Sequence, residues 1–380
     1  MQLIQSFMDM CKIDDAHSLE QASVAYPADL EKLFPTGMVI EAQTAISNWE
    51  GYAPTPLHDL SPLAHAIGVS KLYYKDESSR FGLGSFKALG GAYAVEKLMT
   101  GRDASQVTVA TATDGNHGRS VAWGAQQAGC KCVIYIHAEV SQGRADAMAA
   151  YGAKIIRVDG DYDLSVRQCA EDSAKHGYEI ISDTTWEGYM DVPRYVMAGY
   201  TMMVQEIKAQ AEPPTHVILQ AGVGGLAAAI TAALWQDLGA HMPKVIIVEA
   251  GFAPCLIASA RSGNAETVHI KEETIMAGLS CGEASPLAWE ILKQRASHFV
   301  TIADTAVPTG MRLLACGDAG PKIEAGECGL PGVIALAGIM KDDAMRKATG
   351  IDRNSRVLVF GCEGATDPEI YNKIISGEIA

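Results

Sequence analysis

Short apolar runs rich in β-branched residues alternate along this chain with stretches in which small and apolar residues recur at helical spacing. VTVATAT at 107–113 precedes one helical pattern, and KCVIYIH at 131–137 precedes the next. KIIRVDG at 154–160 and EIISDTT at 179–185 continue the series. Strands and helices in this regular order predict parallel βαβ units.

The same order of elements returns in the C-terminal half of the chain. The runs VILQ, VIIV and VLVF are apolar throughout, which is typical of parallel strands that are covered on both faces. We therefore expect an α/β protein with two doubly wound, mostly parallel-sheet domains. Residues 1–87 and 200–380 would form a large domain, and residues 88–199 a small one.

The composition is that of an ordinary globular chain of 380 residues, 48% hydrophobic and 20% charged. Its net charge of −15 argues against nucleic acid and anionic membranes as partners. The first residues lack the pattern of a secretory signal, and no apolar run approaches the ~20 residues that cross a bilayer. The nine cysteines are scattered without metal or redox spacing, so we expect a reduced, cytoplasmic protein without a metal site.

One lysine stands in unusual surroundings. Lys87 lies in the run SRFGLGSFKALGGAYAV at 79–95, among glycines and apolar side chains, whereas lysine strongly prefers water. Loss of hydration would lower the pKa of its amine, and a neutral amine can attack an aldehyde to form a Schiff base. The ordinary alternative is a solvated residue on a helix.

A glycine-rich turn follows the strand in LQAGVGGLAAAI at 219–230. Gly222, Gly224 and Gly225 leave bare backbone N–H groups ahead of a helix, an arrangement that binds phosphate. No Lys-Ser or Lys-Thr pair follows the glycines, so this is not the loop of an NTPase. With Glu249 after the next strand, the turn also fits a dinucleotide-binding fingerprint, and the glycines could serve only a tight strand–helix connection.

A third segment, TATDGNHGRSVAWGAQ at 111–126, joins a strand that ends at Asp114 to a helix that starts near His117. Gly115 and Asn116 suit the turn between them, and N–H groups at the start of a helix can hold a carboxylate. The simpler interpretations are a helix N-cap for Asp114 and a buried, hydrogen-bonded side chain for His117.

In order along the chain, SFKALGGAYA, TDGNHG, GVGGL and GCEGATDP resemble the motifs of pyridoxal-phosphate (PLP) enzymes of the tryptophan-synthase-β type, called fold type II. The resemblance covers about 54–368 and implies an active site between the two domains, with Lys87 as the Schiff-base lysine. The dinucleotide alternative weakens, because its fingerprint normally opens the nucleotide-binding unit. The other cofactor contacts that the resemblance implies are Phe86, Asn116, Gly222, Val223, Gly224, Gly225, Leu226 and Cys362, the last of which would meet the pyridine nitrogen.

Within this class, TDGNHG together with DTTWEGYMDVPRYVMAGY is similar to the 2,3-diaminopropionate ammonia-lyases. That family uses two active-site aspartates, which match Asp114 and Asp183 and imply catalytic and substrate-binding roles for both. Gly115 and His117 would hold the substrate's carboxylate. The implied reaction is α,β-elimination of ammonia from 2,3-diaminopropionate to aminoacrylate, then pyruvate and a second ammonia, catalysed by a homodimer.

Three other functions stay open on the sequence alone. A serine or threonine dehydratase would use the same scaffold, but its substrates lack the second ammonium that a carboxylate such as Asp114 attracts. An NAD-linked oxidoreductase would use the glycine turn and Glu249. A binding protein that kept the fold without turnover would have no need of Lys87 and Asp183. The preferred enantiomer, and which aspartate acts as base, also stay open.

Overall fold

The computed structural model describes residues 2–21 and 24–379. Its strands are β1 (Asp15–Ser18), β2 (Leu57–Asp59), β3 (Lys71–Asp76), β4 (Thr108–Ala112), β5 (Lys131–Ile136), β6 (Lys154–Arg157), β7 (Glu179–Ile180), β8 (His216–Gln220), β9 (Lys244–Ala250), β10 (Ala296–Ile302) and β11 (Arg356–Gly361). Its α-helices are α1 (Gln2–Met10), α2 (Ala28–Leu33), α3 (Thr36–Ser47), α4 (Ser61–Ile67), α5 (Lys87–Met99), α6 (Asn116–Ala128), α7 (Gln142–Ala149), α8 (Tyr162–His176), α9 (Asp191–Tyr200), α10 (Met202–Gln210), α11 (Gly225–Leu238), α12 (Cys255–Ser262), α13 (Pro286–Arg295), α14 (Val307–Cys316), α15 (Pro331–Lys341), α16 (Asp343–Thr349) and α17 (Pro368–Ser376).

The chain divides into two compact units. The first contains the described residues up to Thr36, Pro54–Ser79 and the chain from Met203 onward. The second contains Gly37–Ala53 and Arg80–Met202. Each unit carries its own β-sheet, as expected for an α/β chain with two sheets.

This division differs from the sequence-based boundaries in three places. Residues 37–53, 80–87 and 200–202 fall in the second unit rather than with the large domain. The side chain of Gln43 donates to the carbonyl of Thr201 at 3.1 Å, which ties α3 to the end of α9. Helix α5 packs along α6 and α9 of the same unit, so the residues that lead into it belong there as well.

The first unit contains a seven-stranded sheet in the order β1-β10-β9-β8-β11-β3-β2. The five inner strands run parallel, and β1 and β2 pair antiparallel at the edges. Strand β8 is buried along its whole length, as its uninterrupted apolar run predicts. Because β8 and β11 are parallel neighbours, the segments that follow Gln220 and Gly361 leave the same edge of the sheet.

The second unit contains a four-stranded parallel sheet in the order β6-β5-β4-β7. The predicted strand at 179–185 is shorter than expected, because β7 covers only Glu179–Ile180. Just beyond β7, the N–H of Ile181 still donates to the carbonyl of Ala110 in β4 at 2.8 Å. On the opposite, free edge, the hydroxyl of Tyr189 donates to the carbonyl of Ile180 at 2.6 Å and accepts from the N–H of Ser182 at 3.1 Å. Tyr189 therefore holds the loop that begins here.

The helices of the second unit start and stop at residues that favour capping. Ser141 accepts the N–H of Arg144 at 3.3 Å ahead of α7, and Asp161 accepts the N–H of Leu164 at 2.9 Å ahead of α8. Helix α8 ends at Gly177, whose φ of 72° is a conformation that glycine adopts without strain. Local sequence signals therefore fix where the connections after β5 and β6 turn into helices.

All nine cysteines are free thiols, and six of them are buried. Over residues 2–21 and 24–379, no cluster of three or more histidine, cysteine, aspartate or glutamate side chains is arranged to hold a metal ion. Over the same residues, no helix combines the length and the apolar character that a membrane crossing requires.

Candidate active site

The lysine singled out by the sequence is the first residue of α5. The glycines beside it serve helix packing: a Cβ at Gly90 would collide with the ring of Tyr200, and one at Gly91 would collide with Ser120. The hydroxyl of Ser120 donates to the carbonyl of Lys87 at 2.6 Å. The glycine-rich run therefore lets α6 and α9 approach α5 closely, and this close packing fixes the position of Lys87.

The ammonium of Lys87 donates a short hydrogen bond to Oδ2 of Asp183, and each of the two side chains is 23% exposed. Asp183 lies in the loop after β7, three residues beyond the end of the strand. Burial opposes ionisation of this carboxyl, yet the adjacent Lys87 ammonium holds its pKa well below the usual range. Asp183 is therefore an anion, and its nearest cation is the lysine that the sequence assigned to the cofactor.

His117 lies next to this ion pair. It is 6% exposed, and its Nε2 lies 2.9 Å from the carbonyl oxygen of Ile181. Its Nδ1 lies 3.9 Å from Oδ2 of Asp183. Burial lowers the pKa of the imidazole, and the neighbouring Asp183 carboxylate only partly opposes that effect. The interpretation of His117 as a buried, hydrogen-bonded helix residue is confirmed.

Tyr200, at the end of α9, is a residue that the sequence did not single out. Its ring centroid lies 4.7 Å from that of Phe86, and the Lys87 ammonium lies 5.4 Å from the Phe86 centroid. The hydroxyl is buried, and the group nearest to it in charge and hydrogen bonding is the ammonium of Lys87. Burial raises the pKa of Tyr200 more than the nearby Lys87 ammonium lowers it, so the phenol stays protonated.

Thr113 helps to cap the start of α6. The hydroxyl oxygen of Thr113 accepts the N–H groups of Gly115 at 3.1 Å and Gly118 at 3.2 Å. The turn therefore has a capping oxygen one residue before Asp114, and the N-cap interpretation of Asp114 itself stays a prediction. Asn116 opens the helix and is partly exposed, so both polar side chains of the turn can face a ligand.

The carboxylate of Asp114 has a partner that the sequence analysis missed. Its Oδ1 lies 3.1 Å from Nε2 of His137, and its backbone carbonyl accepts from Arg144 at 3.4 Å. A signal was available: Asp114 follows β4, His137 follows β5, and these strands are parallel neighbours whose ends meet at one edge. The second unit thus holds two aspartates beside two histidines, Asp183 near His117 and Asp114 near His137.

In the first unit, the glycine turn joins β8 to α11 without any bulky side chain at its glycines. A Cβ at Gly222 would lie 2.9 Å from the sulfur of Cys281, and one at Gly224 would lie 3.1 Å from Cβ of Ala288. Gly224 has a φ of 97° and makes no side-chain cap bond at the start of α11. The helix therefore presents bare backbone amides, which fit the phosphate group of pyridoxal phosphate.

At the same edge of this sheet, Cys362 follows β11. Its thiol donates to the carbonyl of Cys328 at 3.0 Å, and Gln220 donates to the same carbonyl at 2.9 Å. Glu363 accepts the N–H of Cys328 at 3.1 Å, so its carboxylate has the backbone hydrogen bond expected for it. Cys362 carries the residue type and position required of a contact to the pyridine nitrogen, and that role stays a prediction.

Glu249, the acidic residue of the dinucleotide alternative, is fully buried. Its two carboxylate oxygens accept the N–H groups of Leu256 and Ile257, each at 2.7 Å, at the start of α12. A carboxylate that caps a helix in the core is not available to a ribose. The geometry at Glu249 thus argues against nucleotide binding through this fingerprint.

Comparison with known proteins gives one consistent result. Residues 49–363 match the family described as pyridoxal-phosphate dependent enzyme. The chain is 38% identical over 349 residues to the diaminopropionate ammonia-lyase of Escherichia coli K12. This alignment covers 86% of this chain and 88% of that protein.

Two crystal structures of the Escherichia coli diaminopropionate ammonia-lyase match over 97% of this chain and 98% of theirs, each at 36% identity. The complex with D-serine gives a TM-score of 0.88. The complex with an aminoacrylate-PLP azomethine reaction intermediate gives 0.86. The fold class expected from the sequence is confirmed, and the chain belongs to the diaminopropionate ammonia-lyase family of fold type II, pyridoxal-phosphate-dependent enzymes.

Proposed function

We propose that this chain is a pyridoxal-phosphate-dependent carbon–nitrogen lyase that eliminates ammonia from 2,3-diaminopropionate. The product, aminoacrylate, hydrolyses to pyruvate and a second ammonia. The observation that carries this proposal is the ion pair of Lys87 with Asp183 in a member of this family. A carboxylate beside the reactive lysine is what a substrate with an additional ammonium group requires.

Bound pyridoxal phosphate supplies an electron sink for the charge that develops when a proton leaves the substrate's α-carbon. The residues present fit this group, because the amides ahead of α11 are bare and Gly222 and Gly224 leave no room for a Cβ. We assign the anchor to Lys87. The remaining proposed cofactor contacts are Phe86, Asn116, Gly222, Val223, Gly224, Gly225, Leu226 and Cys362.

Lys87 and Asp183 have complementary tasks in this proposal. With pyridoxal phosphate bound, the amine of Lys87 would remove the α-proton from one face of the substrate. Asp183 remains ionised and attracts the β-ammonium. The β-nitrogen can leave as neutral ammonia only if it is protonated, so the carboxylate also keeps the leaving group in its reactive form.

Asp114 is the proposed base for the opposite enantiomer. Its side chain is 41% exposed and lies beside the turn that opens α6, where the backbone of Gly115 and His117 is placed to bind the α-carboxylate. Because Asp114 and Asp183 have different hydrogen-bond partners, a substitution at each should affect different steps. We also propose that the chain works as a homodimer, as the resemblance to this family implies, and that it is cytoplasmic, in accord with its nine free cysteines.

The test begins with the absorption spectrum of the purified protein and with pyruvate formation from DL-2,3-diaminopropionate, serine and threonine. The proposal expects a visible cofactor band and pyruvate formation at least about tenfold faster from diaminopropionate than from serine. Lys87→Ala should remove both the band and the turnover. Lys97→Ala, ten residues further along α5 in a surface ion pair with Glu41, should change neither.

Faster turnover of serine than of diaminopropionate would instead identify a dehydratase. A protein without the visible band would contradict cofactor binding altogether. If the band is present but no substrate is turned over, the chain would be a binding protein.

A further inference from the structure

A buried acceptor atom without a partner lies beside the Lys87–Asp183 pair. Nδ1 of His117 has no hydrogen-bond partner within the described part of the chain, although the residue is only 6% exposed. Leaving a buried polar atom unpaired costs about 1–3 kcal/mol. An atom of this kind marks a place where a ligand supplies the missing partner.

The chemistry of that partner follows from the other side of the ring. Nε2 lies 2.9 Å from the carbonyl oxygen of Ile181, which can only accept a hydrogen bond. Nε2 therefore carries the proton, and Nδ1 presents a lone pair. The missing partner must be a donor.

The adjacent carboxylate of Asp183 further limits which chemical group could pair with Nδ1 of His117. Nδ1 of His117 lies 3.9 Å from Oδ2 of Asp183, the same oxygen that accepts from Lys87. Two acceptors, one of them charged, thus flank one position. A primary ammonium has three donors and a positive charge, and it can serve both acceptors at once.

We propose that Asp183 and Nδ1 of His117 form a subsite for a primary ammonium group. In the structure the ε-ammonium of Lys87 contacts only the Asp183 side of this subsite, and the substrate's β-ammonium would take its place and also donate to Nδ1 of His117. This inference rests on the proposed function for the identity of the second ammonium. His117 then acts as a specificity residue through its side chain, beyond the backbone contact assigned to it above.

The subsite also distinguishes amines from alcohols. A β-hydroxyl carries no charge and has one proton to donate, so it leaves either the carboxylate or the imidazole nitrogen without a partner. Sites that bind a substrate by buried hydrogen bonds reject analogues that leave those groups unpaired. Substitution of His117 should therefore change KM for diaminopropionate and leave KM for serine unchanged.

Two near-isosteric substitutions separate the two ring nitrogens. His117→Asn keeps an oxygen near the Nδ1 position and loses the contact to Ile181. His117→Gln keeps a donor near the Nε2 position and loses the Nδ1 acceptor. We expect Gln to raise KM for diaminopropionate about 10- to 100-fold, as for loss of a hydrogen bond to a charged group, and Asn to raise it less than about fivefold.

The controls use serine as the substrate and His65→Gln as an exposed substitution on α4. KM for serine should stay within about twofold in both His117 variants, and His65→Gln should leave KM for diaminopropionate unchanged. Equal KM effects of Asn and Gln, or a larger effect of Asn, would overturn the inference. Those results would mean that His117 acts only through its bond to Ile181.

A second measurement needs neither cofactor nor turnover. Lys87→Ala vacates the proposed subsite, and the ring nitrogens of ¹⁵N-labelled histidine report on its occupancy by NMR. Ethylammonium should shift the Nδ1 signal of His117 with saturation, whereas ethanol at the same concentration should not. The added substitution Asp183→Asn should weaken the ethylammonium response about tenfold or more.

The outcomes separate this inference from the proposed function. If the wild type forms pyruvate from diaminopropionate but His117 of the Lys87→Ala variant does not respond to ethylammonium, the subsite alone is overturned. A clear response in a protein that makes no pyruvate from diaminopropionate supports an ammonium subsite and contradicts the proposed substrate.

Discussion

Nε2 of His137 lies 3.1 Å from Oδ1 of Asp114, and Nδ1 of the same ring accepts the backbone N–H of Glu139 at 3.3 Å. Because Nδ1 accepts, the ring proton is on Nε2, the nitrogen that lies nearest the carboxylate. A donor at this distance can orient the carboxylate of Asp114. His137 is therefore a positioning residue for the proposed second base.

Substitution of His137 should affect one enantiomer of the substrate. His137→Phe keeps the ring and removes the donor, so we expect kcat for the enantiomer that depends on Asp114 to fall about 10- to 100-fold. Turnover of the other enantiomer should stay within about threefold. His137→Gln, whose amide can donate from a similar position, should restore part of the loss. The measurement is kcat and KM on D- and L-2,3-diaminopropionate separately.

A double-mutant cycle controls this prediction. In the Asp114→Asn background, His137→Phe should have little further effect, because its influence passes through the carboxylate. Additive losses in the double variant, or equal losses for both enantiomers, would show that His137 has a general structural role.

The glycine turn after β8 should tolerate no side chain at Gly224. Gly224→Ala forces an alanine to a φ of 97° and places its Cβ 3.1 Å from Ala288, and the bare amides ahead of α11 should shift with it. We expect the dissociation constant of pyridoxal phosphate to rise at least about tenfold, measured by titration of the cofactor-free protein. Gly263→Ala is the matched control, because Gly263 has a φ of 82° in open space.

Both variants should lose about 1–2 kcal/mol of stability from the backbone conformation. Only the Gly224 variant should lose cofactor affinity. An unchanged dissociation constant in Gly224→Ala would show that this turn does not bind the phosphate.

Loss of the hydroxyl group should affect the stability of the protein differently at two tyrosines of the second unit. Tyr189 makes two hydrogen bonds to the segment around β7, so Tyr189→Phe should destabilise the protein by about 1–3 kcal/mol. The buried hydroxyl of Tyr200 faces the partly exposed ammonium of Lys87, so Tyr200→Phe should lower the thermal midpoint less than Tyr189→Phe does. Differential scanning calorimetry compares the two variants directly. A fall in the midpoint of Tyr200→Phe as large as that of Tyr189→Phe would contradict this prediction, because it would show that the Tyr200 hydroxyl stabilises the fold.

Burial of Glu249 predicts a pH dependence of stability. Burial raises the pKa of this carboxyl to about 8, although the two backbone N–H groups at the start of α12 oppose the shift. An unfolded glutamate releases its proton near pH 4.3. Between those values the unfolded chain has lost a proton that the folded chain retains, so stability should fall as the pH rises, by about 1.4 kcal/mol per unit.

The measurement compares the wild type with Glu249→Gln, which cannot titrate at this position. The thermal midpoint of the wild type relative to the variant should fall from about pH 5 to about pH 8 and then level off. A constant difference over this range would contradict a protonated Glu249 in the folded protein.

The two sheets could be predicted from the sequence, and so could two parts of the site that depend on local signals, the glycine turn after β8 and Lys87. Uninterrupted apolar runs predicted the central strands of the first sheet, and the glycines after Gln220 predicted the bare turn that the structure shows. Lys87 stood out because its neighbours were apolar. These features depend on residues that are adjacent along the chain, and periodicity or composition reports them directly.

The partners of the site residues were harder to predict, because they come from other elements. Nothing local to Lys87 indicates Tyr200, since the contact depends on how α9 packs on α5. His137 could have been found from strand adjacency, but only after β4 and β5 were known to be neighbours. The strand predicted at 179–185 ends at Ile180, and the hydroxyl of Tyr189 holds the loop that follows, a contact that propensity alone does not report.

The support of the Asp183 loop has an evolutionary consequence. Asp183 lies outside the hydrogen-bond ladder of the sheet, in a loop that the hydroxyl of Tyr189 holds in place. Insertions or substitutions between Asp183 and Tyr189 can change the position of the Asp183 carboxylate without changing the register of the strands. Divergence of substrate range among relatives of this chain should accumulate in those few positions, and the surrounding scaffold should remain constant.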